Sequence, residues 1–341
     1  MIYWFRCIKR IRMPIPGFER AGVSVDLDVL KSVVICGPTA SGKTALAIEL
    51  AIRIGGEIIS ADSMQVYRGM DIGTAKPTVK EQERTPFHLI DLVEPNHQFT
   101  AAEWKRHAER AVDMIRNRNR IPVLCGGTGM YLRALLRNWT MAETPRDEQV
   151  RKELEEEAAS VKSGELHRRL EKLDAETAGR LHPNDLLRIV RALEVCIVSG
   201  STLSAVHAKD RDPQRKSKGI EAVQFALTMP REQLNRRINE RVDSMISQGL
   251  EDEVCRLLER GYDPGLPAMQ SLGYKEMCAY LRGDTTRETA IEQIKMSTRR
   301  YAKRQMTWFR SEPEITWVDT SIVSSAEVVD CIATALETRA T

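Results

Sequence analysis

The sequence Gly37-Pro38-Thr39-Ala40-Ser41-Gly42-Lys43-Thr44 fits the pattern G-x-x-x-x-G-K-[ST] of a phosphate-binding P-loop. The β-branched run Ser32–Cys36 precedes it and predicts a buried strand, and a run of good helix formers, Ala45–Ala51, follows it. A strand that turns through glycines into a helix directs backbone N–H groups and the positive helix end at one point, where an anion binds. We therefore predict a site for a diphosphate or triphosphate, with Lys43 on the second phosphate and the Thr44 hydroxyl as a ligand of Mg²⁺.

Further strand patterns alternate with helical patterns along the chain. After the P-loop helix, Gly56–Ala61 predicts a second strand that ends at Asp62, and a helical pattern covers Ala101–Arg116. Additional strand candidates are Phe87–Leu92, Ile121–Cys125, Val223–Leu227 and Ile315–Val318. This alternation predicts an α/β fold of the P-loop NTPase or kinase type, with a parallel sheet covered by helices on both faces. In such sheets ligands bind at the carboxyl ends of the strands.

An inserted all-helical subdomain is predicted between two of these strands. Residues 146–218 contain no strand candidate, and their helix-like segments are Glu148–Val161, Glu165–Leu173, Ala175–Leu181 and Asp185–Ser199. The expected organisation is an N-terminal extension that is poorly ordered (1–30), a P-loop core (31–145 and 219–320), the insertion (146–218) and a C-terminal helix or tail (321–341).

The composition is that of a globular protein with two basic stretches. The 341 residues are 42% hydrophobic and 29% charged, with a net charge of +3. Six cations and no acid fall within residues 295–310, and five basic residues against two aspartates fall within residues 209–218. Such stretches favour contact with a polyanion, although a solvated helix face is an alternative for either one. No apolar run approaches the roughly 18 residues of a membrane-spanning helix.

The seven cysteines are scattered along the chain without a C-x-x-C pair. Most of them fall in apolar strand or helix patterns. This distribution predicts buried thiols in a reducing cytoplasm and argues against a structural zinc site.

Asp62 begins a polar segment at the end of the second predicted strand, beside the P-loop. A carboxylate placed there either holds Mg²⁺ or accepts a proton; the alternative is that it caps the next segment. Ser63 and Gln65 offer hydrogen-bonding groups to a polar substrate, since Gln can pair bidentately with adenine. A second glycine-rich turn, Gly126–Tyr131, follows the strand Ile121–Cys125 and faces the same edge of the sheet.

Six motifs together resemble the tRNA dimethylallyltransferases, also called tRNA isopentenyltransferases. They are GPTASGKT at 37–44, SADSMQVYRGMDIGTAKP at 60–77, GGTGMY at 126–131, HPNDLLRIVRALEV at 182–195, QSLGYKEM at 270–277 and TRRYAKRQMTWFR at 298–310. The motifs occur in the order of that family. Phe87–Asp91 departs from the family pattern, which usually has two histidines there, and the N-terminal extension has no counterpart. The zinc-finger module of eukaryotic members is absent, which indicates a bacterial type.

The resemblance implies transfer of a dimethylallyl group from its diphosphate to N6 of the adenosine next to the anticodon of a tRNA. It implies that Asp62 takes the amine proton, with Thr39 in the same contact network. The tRNA contacts that it implies are Asp62, Ser63, Met64, Gln65, Thr128, Leu187, Arg188, Ile189, Val190 and Arg191.

Basic residues on two predicted helices add candidates. Arg231 and Arg237, after the strand Val223–Leu227, have helical spacing and are candidates to approach the diphosphate. Lys295, Arg299 and Lys303 recur at i, i+4 and i+8, and Arg300 and Arg304 form a neighbouring stripe. These five cations share one broad helical face, and we assign Arg299 and Lys303 to tRNA binding.

Three other functions remain open at this point. A small-molecule P-loop kinase would use ATP, with Asp62 as a metal ligand or substrate clamp, but it leaves the basic segment 295–310 unexplained. An RNA-binding protein with a merely structural P-loop leaves Asp62 beside Lys43 and Thr44 unexplained. An adenylate isopentenyltransferase would act on free nucleotide, whereas the insertion and the basic segment favour tRNA. We expect a cytoplasmic monomer that binds tRNA, dimethylallyl diphosphate and Mg²⁺ and does not contact a membrane.

Overall fold

The computed structural model describes residues 18–19, 32–139, 147–161, 164–210 and 219–337. The chain divides into two compact units: Met1–Leu132 with Glu221–Thr341, and Arg133–Ile220. The second unit contains the whole predicted insertion. It begins earlier than residue 146, within helix α4 (Gly129–Leu136).

The first unit is built on one sheet with the strand order β1-β7-β6-β2-β5-β3-β4. The strands are β1 (Phe18–Glu19), β2 (Val33–Cys36), β3 (Gly56–Ser60), β4 (Phe87–His88), β5 (Ile121–Gly126), β6 (Val223–Thr228) and β7 (Ile315–Asp319). Strands β2 to β7 run parallel, and β1 pairs antiparallel with β7. The predicted α/β fold with a parallel sheet is confirmed. Strand β1 lies within residues 1–30, for which the sequence predicted no strand.

The strand predicted over Phe87–Leu92 is shorter in the structure. Strand β4 ends at His88, and Leu89 and Asp91 have φ angles of 65° and 52°. These left-handed conformations are uncommon for residues other than glycine and interrupt an extended strand. The ammonium of Lys76 lies 2.6 Å from Oδ1 of Asp91 and anchors this turn.

The helices of the first unit surround the parallel strands. They are α1 (Lys43–Ile54), α2 (Val79–Arg84), α3 (Ala101–Asn117), α10 (Arg231–Ser247), α11 (Leu250–Glu259), α12 (Tyr274–Leu281), α13 (Arg287–Arg310) and α14 (Ser325–Glu337). Apolar residues of α1 and α14 form one core cluster with β2, β3 and β5, to which Leu46, Ile35 and Val328 belong. All four residues of β2 are buried, as expected for a central parallel strand.

The described residues of the second unit form helices that are joined by loops. Its helices are α5 (Glu148–Ser160), α6 (Glu165–Leu173), α7 (Ala175–Ala178), α8 (Leu186–Ser199) and α9 (Leu203–Asp210). Leu154, Leu170 and Leu193 belong to its apolar core. Most of the basic stretch 209–218 lies outside the described residues.

The six described cysteines are free thiols, three of which, Cys36, Cys125 and Cys278, are buried. Burial raises the pKa of the Cys125 thiol to about 11, although Lys43 opposes this shift. None of the described helices combines the length and the apolar character needed to cross a membrane.

Strand β5 and the segment after β3 approach so closely that no side chain fits at Gly126. An added Cβ there would lie 2.1 Å from O and 2.3 Å from C of Ala61. Two backbone hydrogen bonds hold this approach: Ala61 N–H donates to Cys125 O (2.8 Å) and Thr128 N–H donates to Ala61 O (3.1 Å). The glycine is therefore required by distance, since its φ angle is not among the positive ones.

We expect Gly126→Ala to lower the melting temperature more than Gly283→Ala. The first substitution forces two backbone segments apart, at a cost of about 3 kcal/mol, the upper range of overpacking. Gly283 has a φ of 83° and nothing within 4 Å of an added Cβ. Its replacement costs only left-handed strain, ~1–2 kcal/mol. Thermal unfolding of both variants measures the difference, and equal melting temperatures would contradict the requirement at Gly126.

Candidate functional site

The P-loop connects β2 to α1 through three residues with positive φ angles. These are Gly37 (136°), Ala40 (62°) and Gly42 (90°). Gly42 is the N-cap of α1 and supplies no side-chain hydrogen bond, so the first N–H groups of α1 are available to an anion. The predicted phosphate-binding turn thus has the backbone shape that the motif requires.

Within the described part of the chain the hydroxyl of Ser41 has no hydrogen-bond partner, although the residue is only 1% exposed. Buried polar groups are nearly always paired, and an unpaired one calls for an explanation. Ser41 lies inside the P-loop, where the oxygen atoms of a bound phosphate group would accept this hydrogen bond. The unpaired hydroxyl therefore fits a ligand with anionic oxygens.

Two cations lie next to the P-loop. Burial lowers the pKa of the Lys43 ammonium, and Arg241 adds to this shift, whereas the charges of Cys125 and Asp62 oppose it. Burial also lowers the pKa of the Arg241 guanidinium, against the opposing charge of Asp62. Nη1 of Arg241 donates to Oγ1 of Thr39 over 3.3 Å. An anion placed here would be bound by charges that are only weakly screened by water.

The sequence pattern predicts Arg231 and Arg237 on helix α10 as candidates for the diphosphate, but the structure adds Arg241. Arg231 is exposed at the first position of the helix. Arg237 lies nearer to the P-loop, since an added Cβ at Gly42 would be 3.9 Å from its Nη1. Arg241 follows Arg237 by four residues, so both lie on one face of α10. That spacing was the available signal for Arg241.

Asp62 follows β3 and lies among these cations. Its Oδ1 accepts from the Met64 N–H over 2.9 Å, and Ser63 N–H donates to Oγ1 of Thr128 over 3.1 Å. The Met64 bond holds Asp62 to its own turn and uses one of its two oxygens. The same carboxylate also acts electrostatically on Lys43 and Arg241.

The side chain of Gln65 is bonded within the protein. It is 9% exposed; its Oε1 accepts from the Ser60 hydroxyl over 2.8 Å, and its Nε2 donates to the carbonyl oxygens of Thr74 (3.4 Å) and Ala75 (3.2 Å). A bidentate contact to adenine would break these hydrogen bonds. The geometry therefore gives Gln65 a role in shaping the loop after β3.

Helix α13 joins the P-loop to the glycine-rich turn after β5. Oε1 of Gln305 accepts from Thr39 N–H over 2.8 Å, and its Nε2 donates to Gly127 O over 3.0 Å. An added Cβ at Gly127 would lie 2.1 Å from that Nε2, and one at Gly129 would lie 2.0 Å from Cδ1 of Trp308. Gln305 was not predicted from the sequence, because the basic residues of this segment indicate only a cationic helical face.

Tyr301 lies one turn before Gln305 on α13, beside Asp62 and Thr128. Burial raises the pKa of its phenol, and the negative charge of Asp62 raises it further. Arg304 lies over the Tyr301 ring at 5.6 Å from its centroid. The face of α13 that carries Tyr301 and Gln305 therefore belongs to the same site as the P-loop, the loop that carries Asp62 and the glycine-rich turn after β5.

The cations of α13 differ in their surroundings. Lys295 contacts Asp243 (2.9 Å) and Glu292 (3.1 Å), and Nη1 of Arg299 donates to Oδ1 of Asn239 over 2.6 Å. Arg300 and Lys303 are exposed and form no ion pair within the described part of the chain. This helix therefore presents fewer unpaired cations to solvent than the sequence predicted.

The candidate segment 187–191 of the second unit also contains both exposed residues and residues that are buried or paired. Leu187 is 83% exposed, and Arg188 is exposed while pairing with Asp185 over 3.1 Å. Ile189 and Val190 are buried in the apolar core. Arg191 pairs with the buried carboxylate of Glu194 over 2.8 Å, which Arg151 also contacts over 2.7 Å. Leu187 and Arg188 are the residues of this segment that face solvent.

Comparison with known proteins gives one consistent family. A model of the family described as IPP transferase matches residues 65–312. A tRNA dimethylallyltransferase from Geobacter metallireducens is 51% identical over 290 residues, which are 84% of this chain and 92% of the relative. One from Desulforudis audaxviator is 49% identical over 289 residues, 84% and 91% of the two chains.

Solved structures agree. A tRNA isopentenylpyrophosphate transferase from Bacillus halodurans is 42% identical with a TM-score of 0.66, covering 91% of this chain and 98% of that one. A eukaryotic dimethylallyltransferase acting on tRNA is 28% identical with a TM-score of 0.72, covering 91% and 77%.

We expect Ser41→Ala to weaken binding of inorganic diphosphate about tenfold, since a hydrogen bond to a charged group contributes about 1.5 kcal/mol. Its melting temperature without ligand should be unchanged or slightly higher, because no internal hydrogen bond is lost. Calorimetric titration and thermal unfolding measure the two effects.

Ser60→Ala is the matched control, because that buried hydroxyl is bonded to Gln65. It should lose stability and keep its diphosphate affinity. Unchanged affinity in Ser41→Ala would exclude the hydroxyl from the anion site.

Proposed function

Because the chain belongs to the IPP transferase family, we propose that it transfers a dimethylallyl group from dimethylallyl diphosphate to N6 of the adenosine next to the anticodon of a tRNA. The observation that carries the proposal is the position of Asp62 beside the P-loop, where its charge acts on both Lys43 and Arg241. In the reaction a bond forms between N6 and the allylic carbon, the bond from that carbon to oxygen breaks, and diphosphate leaves.

The diphosphate end of the substrate is assigned to the P-loop. The N–H groups at the start of α1 and the Ser41 hydroxyl would donate to its oxygens, and Lys43 and Arg241 would supply positive charge. Negative charge grows on the diphosphate as it leaves, so donors and cations fixed in advance lower the barrier. Arg237 lies close enough to Gly42 to contribute, whereas the exposed Arg231 is the weaker candidate.

Mg²⁺ is proposed to bind together with the diphosphate. Among the described residues no group of three or more His, Cys, Asp or Glu side chains could hold a metal ion. This fits Mg²⁺, which commonly uses one or two protein oxygens together with substrate phosphates and water. The Thr44 hydroxyl is the proposed protein ligand. Bound there, the ion would add positive charge against the leaving diphosphate.

Asp62 is the proposed base. The N6 amine of adenosine is a weak nucleophile because its lone pair is delocalised into the purine, so its proton must be removed as the new bond forms. The carboxylate is held by the Met64 N–H through Oδ1, which leaves Oδ2 for the amine proton. The Ser63 N–H and the Thr128 hydroxyl fix the loop that carries Asp62. Thr39, in the P-loop, accepts a hydrogen bond from Arg241.

The tRNA is proposed to bind along exposed cations. The proposed cations are Arg300 and Lys303 on α13 and Arg188 in the second unit, which are exposed, and the exposed Leu187 is adjacent to Arg188 in sequence. The adenosine must leave the anticodon-loop stack to reach a buried diphosphate, which costs a few kcal/mol. Contacts between these cations and the phosphate backbone of the tRNA would supply that energy. We propose that the chain acts as a monomer, and a tRNA substrate supports a cytoplasmic location.

The direct test is incubation with dimethylallyl diphosphate, Mg²⁺ and unmodified tRNA, followed by mass spectrometry of the nucleosides. We expect N6-dimethylallyladenosine. Parallel reactions with AMP as acceptor test the adenylate alternative, and ATP with small-molecule acceptors tests the kinase alternative. Product only on AMP, or phosphoryl transfer from ATP, would replace the proposed function.

We expect Asp62→Asn to lose roughly 10²–10⁴ in rate, the usual cost of removing a general base. Asn keeps the Oδ1 acceptor for the Met64 N–H, so the loop and the diphosphate affinity should persist. Single-turnover rates and calorimetry of diphosphate binding measure both. Asp91→Asn, which changes an acid paired with Lys76 instead, should not reproduce this rate loss. Turnover within about threefold of wild type in Asp62→Asn would exclude Asp62 as the base.

We expect replacement of Arg300 and Lys303 by alanine to flatten the slope of log K for tRNA against log salt by roughly 1–1.5 units, since each phosphate neutralised on a single strand contributes about 0.7. Lys295→Ala should leave the slope unchanged, because its ammonium is already paired with Asp243 and Glu292. Filter binding at several salt concentrations measures the slopes. An unchanged slope in the double variant would remove α13 from the tRNA footprint.

A further inference from the structure

Glu253 on α11 is a buried carboxylate with an unusual set of partners. The residue is 3% exposed. Its Oε2 accepts from the N–H groups of Asp71 (3.0 Å) and Ile72 (2.8 Å), and its Oε1 accepts from Gly73 N–H (3.2 Å) and the Tyr274 hydroxyl (2.6 Å). It forms no ion pair among the described residues. Its charge is therefore compensated by three successive backbone dipoles and one hydroxyl.

The turn at residues 71–73, which Glu253 holds, packs too closely against α12 to move toward it. An added Cβ at Gly73 would lie 2.5 Å from Cε2 and 2.6 Å from Cζ of Tyr274, so the phenol ring packs directly against the turn. Tyr274 is fully buried, and burial together with the charge of Glu253 raises the pKa of its phenol well above the usual value. This direction of shift favours the protonated phenol, whose hydroxyl donates to Glu253.

The turn is connected to the loop that carries Asp62 through Gln65. Nε2 of Gln65 donates to the carbonyl oxygens of Thr74 and Ala75, the two residues after Gly73, and its Oε1 accepts from the hydroxyl of Ser60. Ser60 and Gln65 flank Asp62 in the chain. A shift of the turn at 71–73 is thus transmitted by two hydrogen-bonded links to the backbone on either side of the proposed base.

We propose that Glu253, with Tyr274, is a positioning residue that sets the placement of Asp62 toward the acceptor adenosine. The carboxylate acts through the turn and Gln65 and touches neither substrate. The inference rests on the proposed function, because Asp62 acts as a base only if an acceptor amine is bound. It assigns to the motif QSLGYKEM at 270–277 a role through the Tyr274 hydroxyl.

Glu253→Gln is the sharpest test. An amide offers one acceptor oxygen, and its NH₂ group would face backbone N–H groups, so the turn is released while the side-chain volume is kept. We expect kcat on tRNA to fall roughly 10- to 100-fold, as for other small displacements far from the reacting atoms. The affinity for dimethylallyl diphosphate should stay within about twofold, because the P-loop is unaffected. Amide exchange should accelerate at residues 63–65 as well as at 71–73.

Two further variants keep the test decisive. Tyr274→Phe removes one of the four donors and keeps the packing, so it should show the same pattern at smaller size even if Glu253→Gln folds poorly. Glu57→Gln is the matched control, a buried carboxylate at the start of β3 that pairs with His88 over 2.7 Å. It lies at the end of the strand away from Asp62, and it should lower the melting temperature without changing kcat or exchange at 63–65.

The outcomes separate the inference from the proposed function. If wild-type protein forms no dimethylallyladenosine, the proposed function fails, while amide exchange still reports whether Glu253 controls residues 63–65. Unchanged exchange at 63–65 in folded Glu253→Gln and Tyr274→Phe would overturn the inference. The inference would also be overturned if Glu253→Gln lost no more kcat than Glu57→Gln. Glu253 would then contribute only to stability.

Discussion

The site depends on glycines at which neighbouring parts of the chain approach more closely than a side chain would allow. An added Cβ at Gly37 would meet the backbone oxygen of Leu227 at 2.9 Å, one at Gly126 would meet Ala61, and one at Gly127 would meet Gln305. Each glycine lies where a parallel strand ends or just beyond it. Because these strands are neighbours in the sheet, the P-loop, the Asp62 loop and the glycine-rich turn face one edge. The missing Cβ atoms then allow backbone hydrogen bonds and Gln305 to join them.

Two desolvated cations and a carboxylate meet at this edge. Burial disfavours the charged forms of Lys43 and Arg241, which is why their pKa values fall, and the charge of Asp62 acts on both of them in the opposite direction. Under the proposed function, a diphosphate would add negative charge in a region where water screens weakly. Such an arrangement would stabilise the anionic substrate, and still more the charge that develops on the leaving diphosphate.

Features encoded by adjacent residues were predictable from the sequence, and features encoded by distant contacts were not. The P-loop, the strand before it and Asp62 at the end of β3 follow from local patterns, and the structure agrees. Gln305 and Glu253 escaped prediction because their roles depend on partners far away in the chain, whereas Arg241 had a local signal in its spacing from Arg237. Gln65 shows the converse. Its residue type suits adenine, but the type alone cannot reveal that Ser60, Thr74 and Ala75 already occupy its amide.

Helix α13 shows why a basic motif is a poor guide to a single role. Spacing alone placed five cations on one face, yet Lys295 and Arg299 are engaged with α10 and Arg304 lies over Tyr301. The opposite side of the same helix carries Gln305, which holds the P-loop against the glycine-rich turn. A polyanion bound to Arg300 and Lys303 would thus rest on the element that fixes the distance between the two loops. Binding energy gained at the surface of α13 is then available to hold the reacting groups in place, which is where such energy contributes to catalysis.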